Sequence, residues 1–137
     1  MSRIALLTSI LLMFAAGLLQ GQDLGYTIYD KKDGLAGSIT YSMVQDKEGF
    51  LWIGTETGLS RFDGSRFKNF STLDGLPDNE VLNLFADSKG RVWIMTFRVR
   101  ISYYYKGRIH TQENDSVLRK IQLKDNVFSM AEDKDGN

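Results

Sequence analysis

The chain has 137 residues, 42% of them hydrophobic and 25% charged, an ordinary globular balance. Seventeen basic and seventeen acidic residues cancel with no basic stripe, so the electrostatic footprint of a nucleic-acid binder is missing. The absence of cysteine excludes a disulfide framework, a thiolate metal site, a cysteine nucleophile and a cysteine lipid anchor.

At the N-terminus, Arg3 precedes the run Ile4–Leu19, which is broken only by Thr8 and Ser9 and ends in Gln20-Gly21-Gln22-Asp23. A basic start, an apolar stretch and a small residue at the polar boundary describe a secretory signal peptide over residues 1–21. The alternative is a retained membrane anchor, but the run is shorter than the ~20 residues that span a bilayer. The mature chain, residues 22–137, is then expected outside the inner membrane.

From Tyr26 onward the chain repeats itself. Asp33-Gly34-Leu35 returns 41 residues later as Asp74-Gly75-Leu76, and DKEGFLWIGT at 46–55 returns as DSKGRVWIMT at 87–96. The recurring places are Asp46, Gly49, Trp52, Ile53 and Thr55, then Asp87, Gly90, Trp93, Ile94 and Thr96. Tyr26 and Tyr29 align with Phe67 and Phe70 at the same offset. A third copy begins near Val127 and reaches Asp133-Lys134-Asp135-Gly136. Repeats of this size decide a fold before any single motif does.

The local pattern within each copy is that of strands. Apolar residues alternate before each turn, at Tyr41 and Met43, at Leu82 and Leu84, and at Phe128 and Met130. The Asp-x-x-Gly that follows is hairpin chemistry, because aspartate bonds nearby backbone and glycine accepts positive φ. Phe50–Thr55 and Arg91–Thr96 continue as β-branched and aromatic strands. Leu59–Phe62 and Arg66–Phe70 add two more around Asp63-Gly64. Four strands in about 40 residues make one blade of a β-propeller. The expected fold is therefore all-β, a propeller of four-stranded antiparallel blades over about 33–73, 74–112 and 123–137. Two blades and the start of a third do not close a ring of ~4–8 blades.

These residues resemble the two-component regulator propeller repeat of bacterial sensor histidine kinases and hybrid two-component regulators. ITYSMVQDKEGFLWIGTETGLSRFDG, Ile39 to Gly64, matches the repeat pattern at nearly every place. The second copy keeps the first half of the pattern. It then places Met95 where the first has Gly54, loses the Gly58-Leu59 pair and gains two residues before Gly107. The resemblance implies an extracytoplasmic, periplasmic propeller that senses a ligand, in some members a polysaccharide fragment. It signals through a membrane helix to a cytoplasmic kinase. Its implied partners are that ligand, the remaining blades, the membrane and kinase portion and, in one arrangement, a second copy in a homodimer. It implies no cofactor, no nucleic acid and no catalysis by these residues.

Other readings of single residues are weaker. Asp133-Lys134-Asp135-Gly136 starts like an acidic calcium loop but lacks the further oxygen ligands and distal glutamate, so no metal is expected. Trp52 and Trp93 could stack on sugars, but repetition at one place per blade favours packing between blades. His110 lies at a blade edge, away from any dimerisation helix, and is expected as a solvated strand residue. A carbohydrate-cleaving hydrolase or lyase propeller would need convergent carboxylates, and a scaffolding propeller would need no site. Ligand binding is expected where the repeat departs from its pattern, at Phe97, Arg98 and Arg100, with Glu56 at the matching connection of the first blade. Asp46, Gly49, Trp52, Thr55, Asp87, Gly90, Trp93, Thr96, Asp133 and Gly136 are expected to be structural.

Overall fold

The computed structural model describes residues 25–98, 100–121, 123 and 129–136. The expected signal peptide lies outside these residues, as does the part of the third repeat at Lys124–Phe128. The described residues hold two four-stranded antiparallel sheets, each a simple meander. The first contains β1 (Thr40–Gln45), β2 (Leu51–Thr55), β3 (Gly58–Phe62) and β4 (Phe67–Phe70). The second contains β5 (Val81–Ala86), β6 (Val92–Thr96), β7 (Arg100–Tyr105) and β8 (Arg108–His110).

The repeated aspartate explains why each hairpin forms where it does. Asp46 Oδ1 accepts the N–H groups of Glu48 at 2.9 Å and Phe50 at 3.0 Å. Gly49 closes the turn by donating to the Asp46 carbonyl at 3.1 Å, in a left-handed conformation with φ of 91°. Gly90 donates to Asp87 at 3.1 Å and Gly136 to Asp133 at 3.0 Å, so the third copy builds the same turn. The other carboxylate oxygen reaches the tryptophan six residues on. Asp46 Oδ2 accepts Trp52 Nε1–H at 2.6 Å, and Asp87 Oδ2 accepts Trp93 Nε1–H at 2.9 Å. One side chain therefore both shapes the turn and satisfies the indole N–H of a packing residue.

Strand alternation sends one set of side chains of the first sheet toward the second. Trp52, Leu59 and Phe70 form a buried cluster with Val81, Leu84, Val92, Ile94 and Ile109, flanked by Val44, Phe50 and Tyr104. Trp52 is fully buried, its ring centroid 4.6 Å from that of Tyr104 and 5.7 Å from that of Phe70. The sheets approach most closely through β1, β2 and β5. Gly54 makes this possible, since a Cβ there would lie 2.7 Å from the Val81 carbonyl oxygen. The next face of the second sheet carries Met95, Ile101 and partly buried Trp93, covered by Leu118, Ile121, Leu123 and Met130.

Two local expectations differ from the structure. Tyr26–Tyr29 is not a strand; Tyr26 and Ile28 are exposed, and only the Tyr29 ring packs, against Phe62 and Phe67. Alternation gives a segment the capacity to pair, but a strand needs a neighbour for its backbone, and the described residues place none beside it. His110 is not simply solvated either. Its ring stacks on Tyr103 at 4.7 Å with 10° between the planes.

Candidate functional site

The turns from β2 to β3 and from β6 to β7 lie at one end of the sheets, beside the starts of β1 and β5. In the first sheet this end is tightly stitched. Glu56 Oε1 accepts Ser38 N–H at 2.9 Å and Oε2 accepts Ile39 N–H at 3.0 Å. Thr57 donates its hydroxyl to the Ala36 carbonyl at 2.6 Å. Ser60 accepts Ala36 N–H at 2.9 Å and donates to Asn69, whose amide donates to the Gly34 carbonyl at 2.8 Å. Gly37 has no side chain because one would run into the Glu56 carboxylate. The backbone donors of Ser38 and Ile39 hold that carboxyl below its ordinary range.

The second sheet rebuilds the same end with different residues. Phe97 stands where Glu56 stands in the first, and its N–H donates to the Glu80 carbonyl at 3.0 Å. The missing carboxylate is supplied by Asp78, at the place of Gly37. Asp78 Oδ1 accepts Glu80 N–H at 3.3 Å, and Oδ2 pairs with Arg98 Nε at 3.1 Å. The substitutions compensate each other: the carboxylate enters from the other side of the connection, and the turn after β6 is freed from that duty. Ser102 no longer reaches the connection and bonds Ile94 within the sheet.

This exchange leaves Phe97 57% exposed, with the Arg98 side chain at 77% and Arg100 at 55%. Arg100 lines a cleft of about 160 Å³ with Thr72, Pro77, Thr111, Gln112 and Glu113. Its guanidinium lies 3.6 Å from Glu113. The Arg100–Glu113 pair is solvent-exposed, and such pairs contribute only ~0–1 kcal/mol, so Arg100 can exchange its carboxylate for a ligand group at little cost; the Arg98 guanidinium is exposed but its partner Asp78 is partly buried. Nearby, Tyr41 donates its hydroxyl to Glu80 Oε1 at 3.1 Å, which raises the phenol pKa. Aromatic surface, guanidinium groups and carboxylates on a fixed scaffold can hold a polar ring compound by stacking and hydrogen bonds.

Of the residues singled out in the sequence, Phe97, Arg98 and Arg100 share this end of the second sheet. Glu56 is at the matching place of the first, with both oxygens already bound to backbone. Asp78, Thr111, Gln112 and Glu113 were missed. Asp78 is legible as a departure from Gly37 at the 41-residue offset, whereas the other three lie in the turn after β8, which repeats the Ser71–Asp74 turn after β4 at an offset of 40 and with different residues. Among the described residues no group of three or more His, Asp or Glu is arranged to hold a metal ion.

Comparison with known proteins agrees with the repeated geometry. The pattern of the family described as "Two component regulator propeller" matches residues 27–57 and 75–98, which include β1, β2, β5 and β6. Those two segments are similar to repeats of this family. It is 39% identical over 70 residues to "Histidine kinase P4" of Formosa agariphila, a match covering 50% of this chain and 5% of that protein. It superposes with a TM-score of 0.57 and 30% identity on a crystal structure described as the extracellular domain of a hybrid two component system from B. thetaiotaomicron. That match covers 62% of this chain and 13% of the other. The chain thus spans a small part of both relatives. Trp52, Trp93 and their aspartates recur in both copies, whereas Asp78, Phe97 and Arg98 are departures of the second copy from the first.

Proposed function

We propose that this chain is part of the extracytoplasmic sensing region of a two-component sensor kinase. On this reading the end of the second sheet that bears Phe97, Arg98 and Arg100 contributes to ligand recognition. The observation that carries it is the exchange of Glu56 and Gly37 for Phe97 and Asp78. It exposes an aromatic ring beside two arginines, each paired with a carboxylate, on an otherwise repeated scaffold. The likeness to a histidine kinase and to the extracellular domain of a hybrid system supports the sensor reading and the location. The apolar run Ile4–Leu19 supports export.

Catalysis belongs to the kinase portion of the parent protein and not to the propeller. A polyhydroxylated, acidic ligand suits a site that mixes arginine, carboxylate and an exposed ring. The test is calorimetric titration of the complete propeller with a panel of neutral and acidic oligosaccharides. Phe97→Ala with Arg100→Ala should weaken binding of the responding compound at least about tenfold, equivalent to ~1.4 kcal/mol. Unchanged affinity in that double variant would remove the site from this end of the sheet. Cleavage of the oligosaccharide by the propeller would replace the sensor reading with an enzymatic one.

A further inference from the structure

The Asp-x-x-Gly turns lie at the end of the sheets opposite Phe97 and Arg100, and successive turns meet there. The second and third turns are closed on each other by hydrogen bonds. Glu132 Oε2 accepts the Ser88 N–H and Oε1 accepts the Ser88 hydroxyl, each at 2.8 Å. Lys89 Nζ donates to the Gly136 carbonyl at 2.5 Å. A carboxylate of one repeat therefore sits on the residue that follows the turn aspartate of the repeat before it.

Between the first and second turns that carboxylate is missing. Lys47 follows Asp46 as Ser88 follows Asp87, and Ala86 precedes Asp87 as Glu132 precedes Asp133. The turn glycines show that the places correspond in space. A Cβ on Gly136 would lie 3.6 Å from both Ser88 Oγ and Glu132 Oε1. One on Gly90 would lie 2.7 Å from Lys47 Nζ, and its nearest atoms include no carboxylate oxygen.

A cleft of about 160 Å³ opens here, lined by Lys47, Glu48, Gly90, Tyr105 and Lys106. Among the described residues neither the N–H nor the ammonium of Lys47 has an acceptor. Lys106 holds a left-handed φ of 48°, costly for a residue with a side chain, and its ammonium lies 5.1 Å from the centre of the Tyr105 ring. It too has no carboxylate partner among the described residues. Asp46 borders the cleft, but its carboxylate is taken by the N–H groups of Glu48, Phe50 and Trp52.

We infer that this cleft binds a small monocarboxylate, which takes the part that the Glu132 carboxylate plays between the next two turns. Its oxygens accept the Lys47 N–H and ammonium, and Lys106 faces it from the second sheet. Bonds between charged partners are the stronger kind, so two ammonium groups and one backbone donor make a specific site. Glu48 on the same rim repels a second negative charge, which favours a monoanion over a dianion.

The test is ligand-observed NMR titration of the complete propeller with acetate, D-glucuronate and sulfate, with D-glucose as the neutral control. Acetate and glucuronate should bind in the millimolar range, sulfate no more tightly than acetate, and glucose should not displace acetate. Lys47→Ala with Lys106→Ala should weaken acetate binding at least about tenfold, while Lys32→Ala, at an exposed lysine away from the cleft, should leave it unchanged. Ala86→Glu, which restores the carboxylate seen at Glu132, should abolish acetate binding, and Ala86→Gln should retain most of it. Thermal unfolding checks that each variant is folded. Acetate affinity unchanged in the double lysine variant or in Ala86→Glu would overturn the inference. Displacement of acetate by glucose, tighter binding of sulfate, or equal loss in Ala86→Gln and Ala86→Glu would overturn it too.

Discussion

Replacing Trp52 by alanine removes the most enclosed large side chain between the two sheets. The indole is fully buried, stacked near Phe70 and Tyr104, with the Arg61 guanidinium 5.7 Å from its ring. Truncation of a core aromatic costs ~3–5 kcal/mol, because the lost transfer energy is joined by a cavity that β-sheet backbones cannot collapse to fill. The Asp46 carboxylate also loses its indole donor, but it keeps the N–H groups of Glu48 and Phe50, so this adds little. Trp52→Phe retains most of the buried surface and gives up the N–H bond. It should fall between, at ~1–2 kcal/mol. Trp93→Ala should cost less than Trp52→Ala, since Trp93 is only partly buried. Urea unfolding of the complete propeller, followed by circular dichroism, reads all three. A Trp52→Ala protein within ~1 kcal/mol of the parent that has lost oligosaccharide binding would refute the packing role and make Trp52 a stacking platform.

Gly54→Ala should destabilise by ~1–3 kcal/mol in the same assay, because its methyl meets the Val81 carbonyl and forces the sheets apart; a neutral result would show that the approach at β5 is not tight. Burial and the 2.5 Å hydrogen bond to Asp115 push the Tyr103 phenol up to about 12. A raised folded pKa gives stability that is complete below the ordinary tyrosine value near 10 and is lost as pH rises toward 12. Ultraviolet titration should show a latest tyrosinate, beyond the raised Tyr41, that is absent in Tyr103→Phe, with the alkaline loss of stability reduced. The Asp115 carboxyl is held low, first by the Tyr103 hydroxyl and then by backbone N–H groups. Its contribution is present above the ordinary aspartate range and is lost as pH falls through the lowered value, so Asp115→Asn should flatten the acid limb.

Much of the architecture was legible because the repeat restates it. The offset of 41 residues located the turns and the strands around them, and Asp-x-x-Gly carried its own local chemistry. What could not be read came from contacts across a hairpin and between repeats. The Asp46–Trp52 bond joins a turn residue to a core residue across a hairpin, and spacing alone does not reveal it. Tyr26–Tyr29 has the composition of a strand yet remains unpaired, since pairing depends on a partner and not on pattern. In the candidate site, Phe97 and Arg98 stood out as departures. Their cause, the carboxylate moved from Glu56 to Asp78, appears only once both connections are seen in space. Glu56 itself looked available for a ligand because nothing in its neighbours showed that Ser38 and Ile39 would bind both oxygens.

The most direct test of the proposed sensing role is phosphoryl transfer in the full-length protein that carries these repeats, reconstituted in membranes with radiolabelled ATP. Adding the oligosaccharide that binds the propeller should change the autophosphorylation rate of the parent protein. Phe97→Ala with Arg100→Ala should shift the half-maximal concentration upward at least about tenfold and leave the rate without ligand unchanged. An autophosphorylation rate indifferent to every bound oligosaccharide, or a double variant with an unshifted response, would contradict the account.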